Sequence, residues 1–241
     1  NAKKCVFFQE SLTFLGHVVG SEGKRPDPAK VGVVKDWPRP DNVKKLRSFL
    51  GLVNYYRAFI KDFSKLARPL FSLLSDKETF VWGDDQKKAF NDLKESLCTR
   101  TLLAHPRIEL PFIIYSDASK AGLGCSLHQV QDGVEVPIAF GGRALTDVES
   151  RYSTTEQECL GLYFALKTFH PFVHRRKVLV KTDHRALQYL MLKKYSSNHR
   201  IQAWTQLISV FVPDIEYKPG RSIPHVDAIS RMHETAEEPE E

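Results

Sequence analysis

Near Arg100 the apolar residues of this chain change their spacing. Before it, Val43, Leu46, Phe49, Leu50, Val53, Tyr56, Ile60 and Phe63 recur at three- and four-residue intervals, the period of an amphipathic helix. After it, apolar residues run together in PFIIYSD (111–117) and alternate in KVLVKTDH (177–184), as in strands. The chain therefore has to house a helical part and a sheet-forming part.

The helical part has further punctuation. CVFF (5–8) and FLGHVV (14–19) read as a hairpin, and SEGKRP (21–26) as a turn-rich link. Asp27 followed by Pro28 predicts a short helix to Trp37, ended by WPRP. Asp41 or Asn42 caps the long periodic segment. Further helices are expected over Leu66–Leu74 and from about Asp84 to Leu97. Downstream, GLGCSLHQV and VPIAFGGRAL read as strands after PFIIYSD. Ser153 and Glu156 form a capping box that opens a helix to about Phe169. KVLVKTDH is a fourth strand, helices follow over 185–193 and 198–211, VPDIEYKPG is a fifth strand, and HVDAISRM a last short helix. Strands and helices in that succession predict a mixed α/β sheet.

Composition narrows the partners. The net charge is +6, although the final HETAEEPEE carries five glutamates and neither Lys nor Arg. The rest is correspondingly more basic, which favours a polyanionic partner. None of the four cysteines, Cys5, Cys98, Cys125 and Cys159, forms a CxxC pair, which argues against a zinc ribbon or a disulfide framework. Reduced, intracellular thiols are the expectation. No apolar run approaches a membrane span, so no membrane partner is expected. The chain begins at Asn1 rather than Met, so a piece of something longer is expected.

Two strands end on acids, Asp117 and Asp183. Glu158 lies early in the helix between them, and Asp227 opens the last helix. Taken singly, an Asp at a strand end is an ordinary turn or cap residue. Four acids gathered at one sheet edge would repel one another and raise one another's pKa. Two divalent cations relieve that conflict. Mg²⁺ suits carboxylate oxygens and leaves positions for phosphate oxygens.

YSDAS (115–119), YSTTEQECLGLYFALKTF (152–169), KTDH (181–184) and YKPGRSIPHVDAISR (217–231) resemble the ribonuclease H domain of reverse transcriptases from gypsy-type long-terminal-repeat retrotransposons. Upstream, FLGHVVGSEGKRPDP (14–28) is similar to the primer-grip hairpin at the end of the palm. VKKLRSFLGLVNYYRAFIKDFSKLARPL (43–70) looks like the thumb, and FVWGDDQKKAFNDLKESL (80–97) like the helical segment after it. The resemblance implies a palm remnant over 1–37, a helical thumb-like domain over 38–100, a ribonuclease H-like five-stranded α/β domain over 101–232 and an acidic tail over 233–241.

It also implies catalytic, metal-binding roles for Asp117, Glu158, Asp183 and Asp227 with two Mg²⁺, Mn²⁺ being a substitute. Asp117 would bridge both ions, Asp227 would share the nucleophile-side ion, and Glu158 and Asp183 would hold the other. Glu156 competes with Glu158 for the second position. Glu158 abuts the apolar run CLGLYFAL, and Glu156 reads as the capping-box partner. The family pattern departs at Ile223 and Val226, where Asn and Ala are common, and Tyr217 lies near the place of a mobile His in cellular enzymes. His225, close to Asp227, could substitute for that His but is read first as a solvent-facing loop residue, and His184 fits the pattern without a derivable role.

Candidate contacts to nucleic acid are Lys44, Lys45, Arg47, Tyr55, Arg57 and Lys61 in the helical segment, with Lys65 and Arg68 in the same basic set. Lys193, Lys194, His199 and Arg200 form a second patch, with Lys193, Lys194 and Arg200 as its candidate contacts. By resemblance the partners are an RNA–DNA hybrid, a template–primer duplex and the remainder of the reverse transcriptase, with a homodimer or heterodimer left open, in a cytoplasmic virus-like particle for which access to the nucleus is also left open. No Tyr-x-Asp-Asp turn is present, and Asp84-Asp85 reads as a helix start, so this chain is not expected to polymerise DNA. The leading reading is an endonuclease for the RNA strand of hybrids. Its rival is a non-catalytic nucleic-acid-binding or structural subunit, or a domesticated remnant. A strand-transfer enzyme of the integrase type is disfavoured, because its acids run Asp, Asp, Glu.

Overall fold

The computed structural model describes residues 8–75, 80–99, 102–119, 122–192, 198–211 and 213–217. A small antiparallel sheet comes first: β1 (Ser11–Phe14), β2 (His17–Gly20) and β3 (Gly23–Pro26). The expected hairpin is shifted. Residues 5–7 lie outside the described residues, Phe8 is not in a strand, and the segment read as a link supplies β3. β3 pairs antiparallel with β2, and a segment distant in sequence bridges its other side. The Lys24 N–H donates to Leu103 O at 2.8 Å, and the Leu103 N–H to Lys24 O at 3.0 Å. Gly23, at φ +142°, permits the approach, since a Cβ there would sit 2.2 Å from Leu103 O.

Asp27 caps α1 (Pro28–Lys35) by accepting from the Ala29 N–H at 2.9 Å. Asn42 caps α2 (Val43–Tyr55) by accepting from the Lys45 N–H at 2.9 Å. The apolar period that runs on to Phe63 is not one helix. After Tyr55 come a 3₁₀ turn over Arg57–Phe59, an extended Ile60 and a left-handed Asp62 (φ 53°). Then α3 (Phe63–Ser72) starts three residues before the expected Leu66. Phe59, Ile60 and Phe63 are all buried, and the bend turns them into a common core. Side-chain period alone does not reveal such a bend. With α4 (Asp84–Cys98), these helices enclose Leu46, Phe49, Leu50, Leu70, Phe90 and Leu93.

The second part contains β4 (Phe112–Ser119), β5 (Gly122–Gln131), β6 (Val134–Arg143), α5 (Thr154–Thr168), α6 (His170–Val173), β7 (Val178–Thr182), α7 (Arg185–Leu192), α8 (His199–Ser209) and β8 (Asp214–Tyr217). Its sheet has the order β6-β5-β4-β7-β8, the mixed five-stranded α/β sheet expected. β4 runs parallel to β7 and β7 to β8, and the remaining pairs are antiparallel. On one face Phe112, Ile114, Leu127 and Val180 pack with Leu162, Ala165 and Leu166 of α5. The short α6 continues beyond the expected helix end at Phe169.

The helical part leans on the sheet's other face. Phe140 of β6 packs against the helical core. The Ser64 hydroxyl, at the start of α3, donates to Leu123 O of β5 at 3.0 Å. Gly142 makes room, for a Cβ there would lie 3.0 Å from Ser64 Oγ and 2.9 Å from Leu123 O. A fully buried Gln129 pins the connection between the two parts. Its carbonyl accepts from the Arg107 N–H at 2.9 Å, and its amide donates to Arg107 O at 2.7 Å and Leu110 O at 3.1 Å. Replacing it by Met keeps the volume and strands those backbone groups. Gln129→Met is expected to cost about 2 kcal/mol in urea unfolding, with an unchanged slope. A midpoint equal to that of the parent chain contradicts this role.

Candidate active site

The sheet topology gathers the acids. Tyr115 of β4 pairs in parallel register with Lys181 of β7. Two residues further along each chain stand Asp117 and Asp183, at the carboxyl ends of neighbouring parallel strands. Such ends are where open α/β sheets collect ligands, and adjacent strands lie about 4.8 Å apart. α5 begins over the same edge. A Cβ on Gly161 would lie 3.6 Å from Ala118 Cβ and 3.9 Å from Asp117 O. Glu158, one turn earlier, therefore faces both aspartates.

Glu158 is buried, while Asp117 and Asp183 are exposed. Burial, reinforced by the charges of Asp117 and Asp183, pushes its carboxyl up to about 8. The Ala118 N–H hydrogen bond and the nearby Lys65 charge oppose that rise without cancelling it. Its Oε2 is buried with no hydrogen-bond partner among the described residues. Buried polar atoms are otherwise almost always satisfied, so this oxygen fits a site meant for a cation. The two competing glutamates have separate fates. Glu156 accepts from Ser153 N–H and Oγ, both at 2.9 Å, from Asn198 Nδ2 at 2.9 Å and from Arg200 Nη2 at 2.6 Å. Those bonds, from Asn198 first, then Ser153 and Arg200, hold its carboxyl at about 2. It locks the start of α5 to the start of α8.

No three acid, His or Cys groups among the described residues lie close enough to hold a metal ion. Asp227, Ile223, Val226, His225, Lys193 and Lys194 lie outside those residues. Asp117 is instead ion-paired with Lys65 of α3. Lys65 stands 52 residues from Asp117 in sequence, and only the docking of the helical part brings it there. Sequence reading grouped it with a basic helical surface and had no signal linking it to the acids.

The remaining candidates divide. Lys44, Lys45 and Arg47 are exposed on α2, opposite Leu46, Phe49 and Leu50. Lys45 also pairs with Asp41 at 2.6 Å. Tyr55 is exposed but tied, its hydroxyl donating to Leu15 O, and Tyr56 is buried with its hydroxyl on Gly16 O at 2.8 Å. Arg57 is exposed, whereas Lys61 is partly buried and faces Asp62, Lys65 and Asp117, its pKa lowered by that burial. Arg200 is held by Glu156 and lies 4.5 Å over the Tyr152 ring. His184 Nε2 lies 3.4 Å from Thr155 Oγ1, and Tyr217 pairs with Thr182, next to Asp183.

Residues 107–211 match the family model described as the RNase H-like domain found in reverse transcriptase. That stretch belongs to this family. The chain is 38% identical over 232 residues to the Retrovirus-related Pol polyprotein from transposon 412 of Drosophila melanogaster, covering 95% of this chain and 18% of that protein. It is 35% identical over 244 residues to the corresponding polyprotein from transposon gypsy of the same organism, covering 96% of this chain and 23% of that protein. The chain thus spans about a fifth of the length of these relatives. Among solved structures, the foamy viral protease-reverse transcriptase in complex with RNA/DNA hybrid superposes with a TM-score of 0.74 at 22% identity, over 92% of this chain and 31% of that one. The dRH form in complex with ds DNA gives 0.72 at 21% identity, over 87% and 38%. The fold is that of the reverse transcriptase RNase H-like domain with helices before it.

A carboxyl raised by folding costs stability as it ionises. The native chain holds the Glu158 proton between its ordinary value of 4.5 and about 8, while the unfolded chain has released it. Stability contributed by this group is therefore full below pH 4.5 and falls through that window, by up to about 1.4 kcal/mol per pH unit. Glu158→Gln is expected to flatten the slope and to be more stable than the parent at pH 8 without divalent cations. Denaturation series at several pH values check this, and parallel curves for the two chains refute it.

Proposed function

We propose that this chain is the nuclease portion of a retrotransposon reverse transcriptase and hydrolyses the RNA strand of RNA–DNA hybrids. The observation that carries the reading is Glu158: a buried carboxyl with an unpartnered oxygen, facing aspartates on two adjacent parallel strand ends. An unpartnered carboxyl oxygen facing two further carboxylates suits a divalent cation. Asp117, Glu158 and Asp183, joined by Asp227, are the residues that would hold two Mg²⁺. When bound, such ions activate water and stabilise the leaving oxygen of a phosphodiester. The chain's own contribution is to keep these carboxyls crowded at one edge. Burial keeps Glu158 protonated to about 8, so a cation brought near it would displace that proton.

The domain assignment belongs to the same proposal: a palm remnant over 1–37, a thumb-like helical domain over 38–100 and the nuclease domain over 101–232. A foamy viral relative is described with an RNA/DNA hybrid, which supports the hybrid as partner here. Lys44, Lys45 and Arg47 offer phosphate contacts along one exposed helix face. Tyr55 and Arg200 have their main contacts within the protein and are weaker candidates.

Cleavage of a labelled hybrid with Mg²⁺ tests the reading. Cutting of the RNA strand alone, reduced more than about 100-fold in Asp117→Asn, is expected. Hybrid binding without cutting by either chain would favour a non-catalytic subunit. Binding is expected to weaken with salt, and Lys44→Ala with Arg47→Ala is expected to lower the slope of log K against log salt by about 1 to 2. An unchanged slope removes α2 from the interface.

A further inference from the structure

The cation nearest to the acids comes from the other part of the molecule. Lys65 lies on the first turn of α3, and its ammonium is hydrogen-bonded to Asp117 Oδ2. This contact has a built seat. Ser64, the preceding residue, donates to Leu123 O at 3.0 Å and is buried. Asp62 sits against Gly124, where a Cβ would lie 3.0 Å from its Oδ1, and Gly124 is the register partner of Asp117. Phe140 fixes the two parts to one another from the sheet side. The start of α3 is thus held against the strands that carry the acids, and Lys65 has a short reach to Asp117.

The groups facing Lys65 are Asp117, Asp62 and Glu158, with Lys61 as a second cation from the same bend. Burial alone would lower the Lys65 pKa, but the hydrogen bond and charge of Asp117 outweigh it, so the ammonium stays charged. Lys65 is only partly exposed, at 28% of its side chain, against 56% for Asp117.

We propose that Lys65 is a resident counter-cation of the candidate nuclease site, supplied by the helical part, and that it competes with a divalent cation for Asp117. The inference rests on the metal-dependent reading above. Because α3 is seated on glycines and joined by Phe140, competition requires only the lysine side chain to swing away, not the two parts to separate. The helical part would then set how much divalent cation the site needs. Facing carboxyls with an ammonium paired to Asp117 and a second one nearby tolerate the metal-free state, whereas the carboxyls alone repel.

Mn²⁺ binding to the purified 241-residue chain, measured by calorimetry without nucleic acid, tests this. Lys65→Gln is expected to bind Mn²⁺ about fivefold more tightly than the parent, the upper range for a partly exposed ion pair. Lys65→Arg keeps the charge and is expected to stay near the parent value. The gain is expected to vanish when Asp117→Asn is added. Equal or weaker binding by Lys65→Gln, with binding lost in Asp117→Asn, overturns the proposal and leaves the metal reading standing. Binding that Asp117→Asn leaves unchanged in both backgrounds overturns both. Thermal midpoints within the parent range show that the variants are folded; should Lys65→Gln unfold, Lys65→Met serves as the neutral variant.

Discussion

Like charges cannot be crowded without a compensating charge, and this constraint shapes the centre of the molecule. Parallel pairing of β4 with β7 brings Asp117 and Asp183 to equivalent positions at one edge. The first turns of α5 add Glu158 from above. Burial of Glu158 removes the water that would otherwise solvate its charge, so its carboxyl keeps a proton to about 8. The surrounding elements answer this stress in two ways. Glu156, two residues earlier, is neutralised by Arg200, hydrogen-bonded by Asn198, and steadies the helix. Asp117 is neutralised by Lys65 from another part of the chain.

The seating of that lysine explains features of the fold that otherwise look incidental. Gly124 and Gly142 leave the outer face of β5 and β6 flat enough for the start of α3 to lie on it. Phe140 then serves two cores, standing on the five-stranded sheet while packing with the helices. Gln129 ties the connector to β5 through three backbone hydrogen bonds. The contact between the two parts is therefore made of close-packed backbone and buried polar bonds, which resist sliding more than a loose apolar patch does.

The same contact changes how the basic surface is read. Counted along the sequence, Lys44, Arg57, Lys61 and Lys65 belong to one positively charged segment. In three dimensions they point to different tasks. Lys44 remains on the open face of α2, Lys61 and Lys65 turn inward toward the acids, and Arg57 belongs to the bend that presses on β6.

Much of this was legible from residue order. Period and capping residues located α1, α2, α4 and α5, because those helices are specified by neighbours within four residues. Strand-ending acids and the capping box separated Asp117, Asp183 and Glu158 from the other carboxyls. The bend between α2 and α3 was not legible, since Phe59, Ile60 and Phe63 keep a helical spacing while the backbone leaves the helix to bury all three. Nor was β3, a polar GKRP segment that pairs with the adjacent β2 and is bridged from its other side by the distant Leu103. The sequence by itself determined which residues carry charge and which segments turn as helices or strands, because those are local properties. Only the tertiary structure decided that Lys65 meets Asp117, because that contact depends on how two separately specified layers pack.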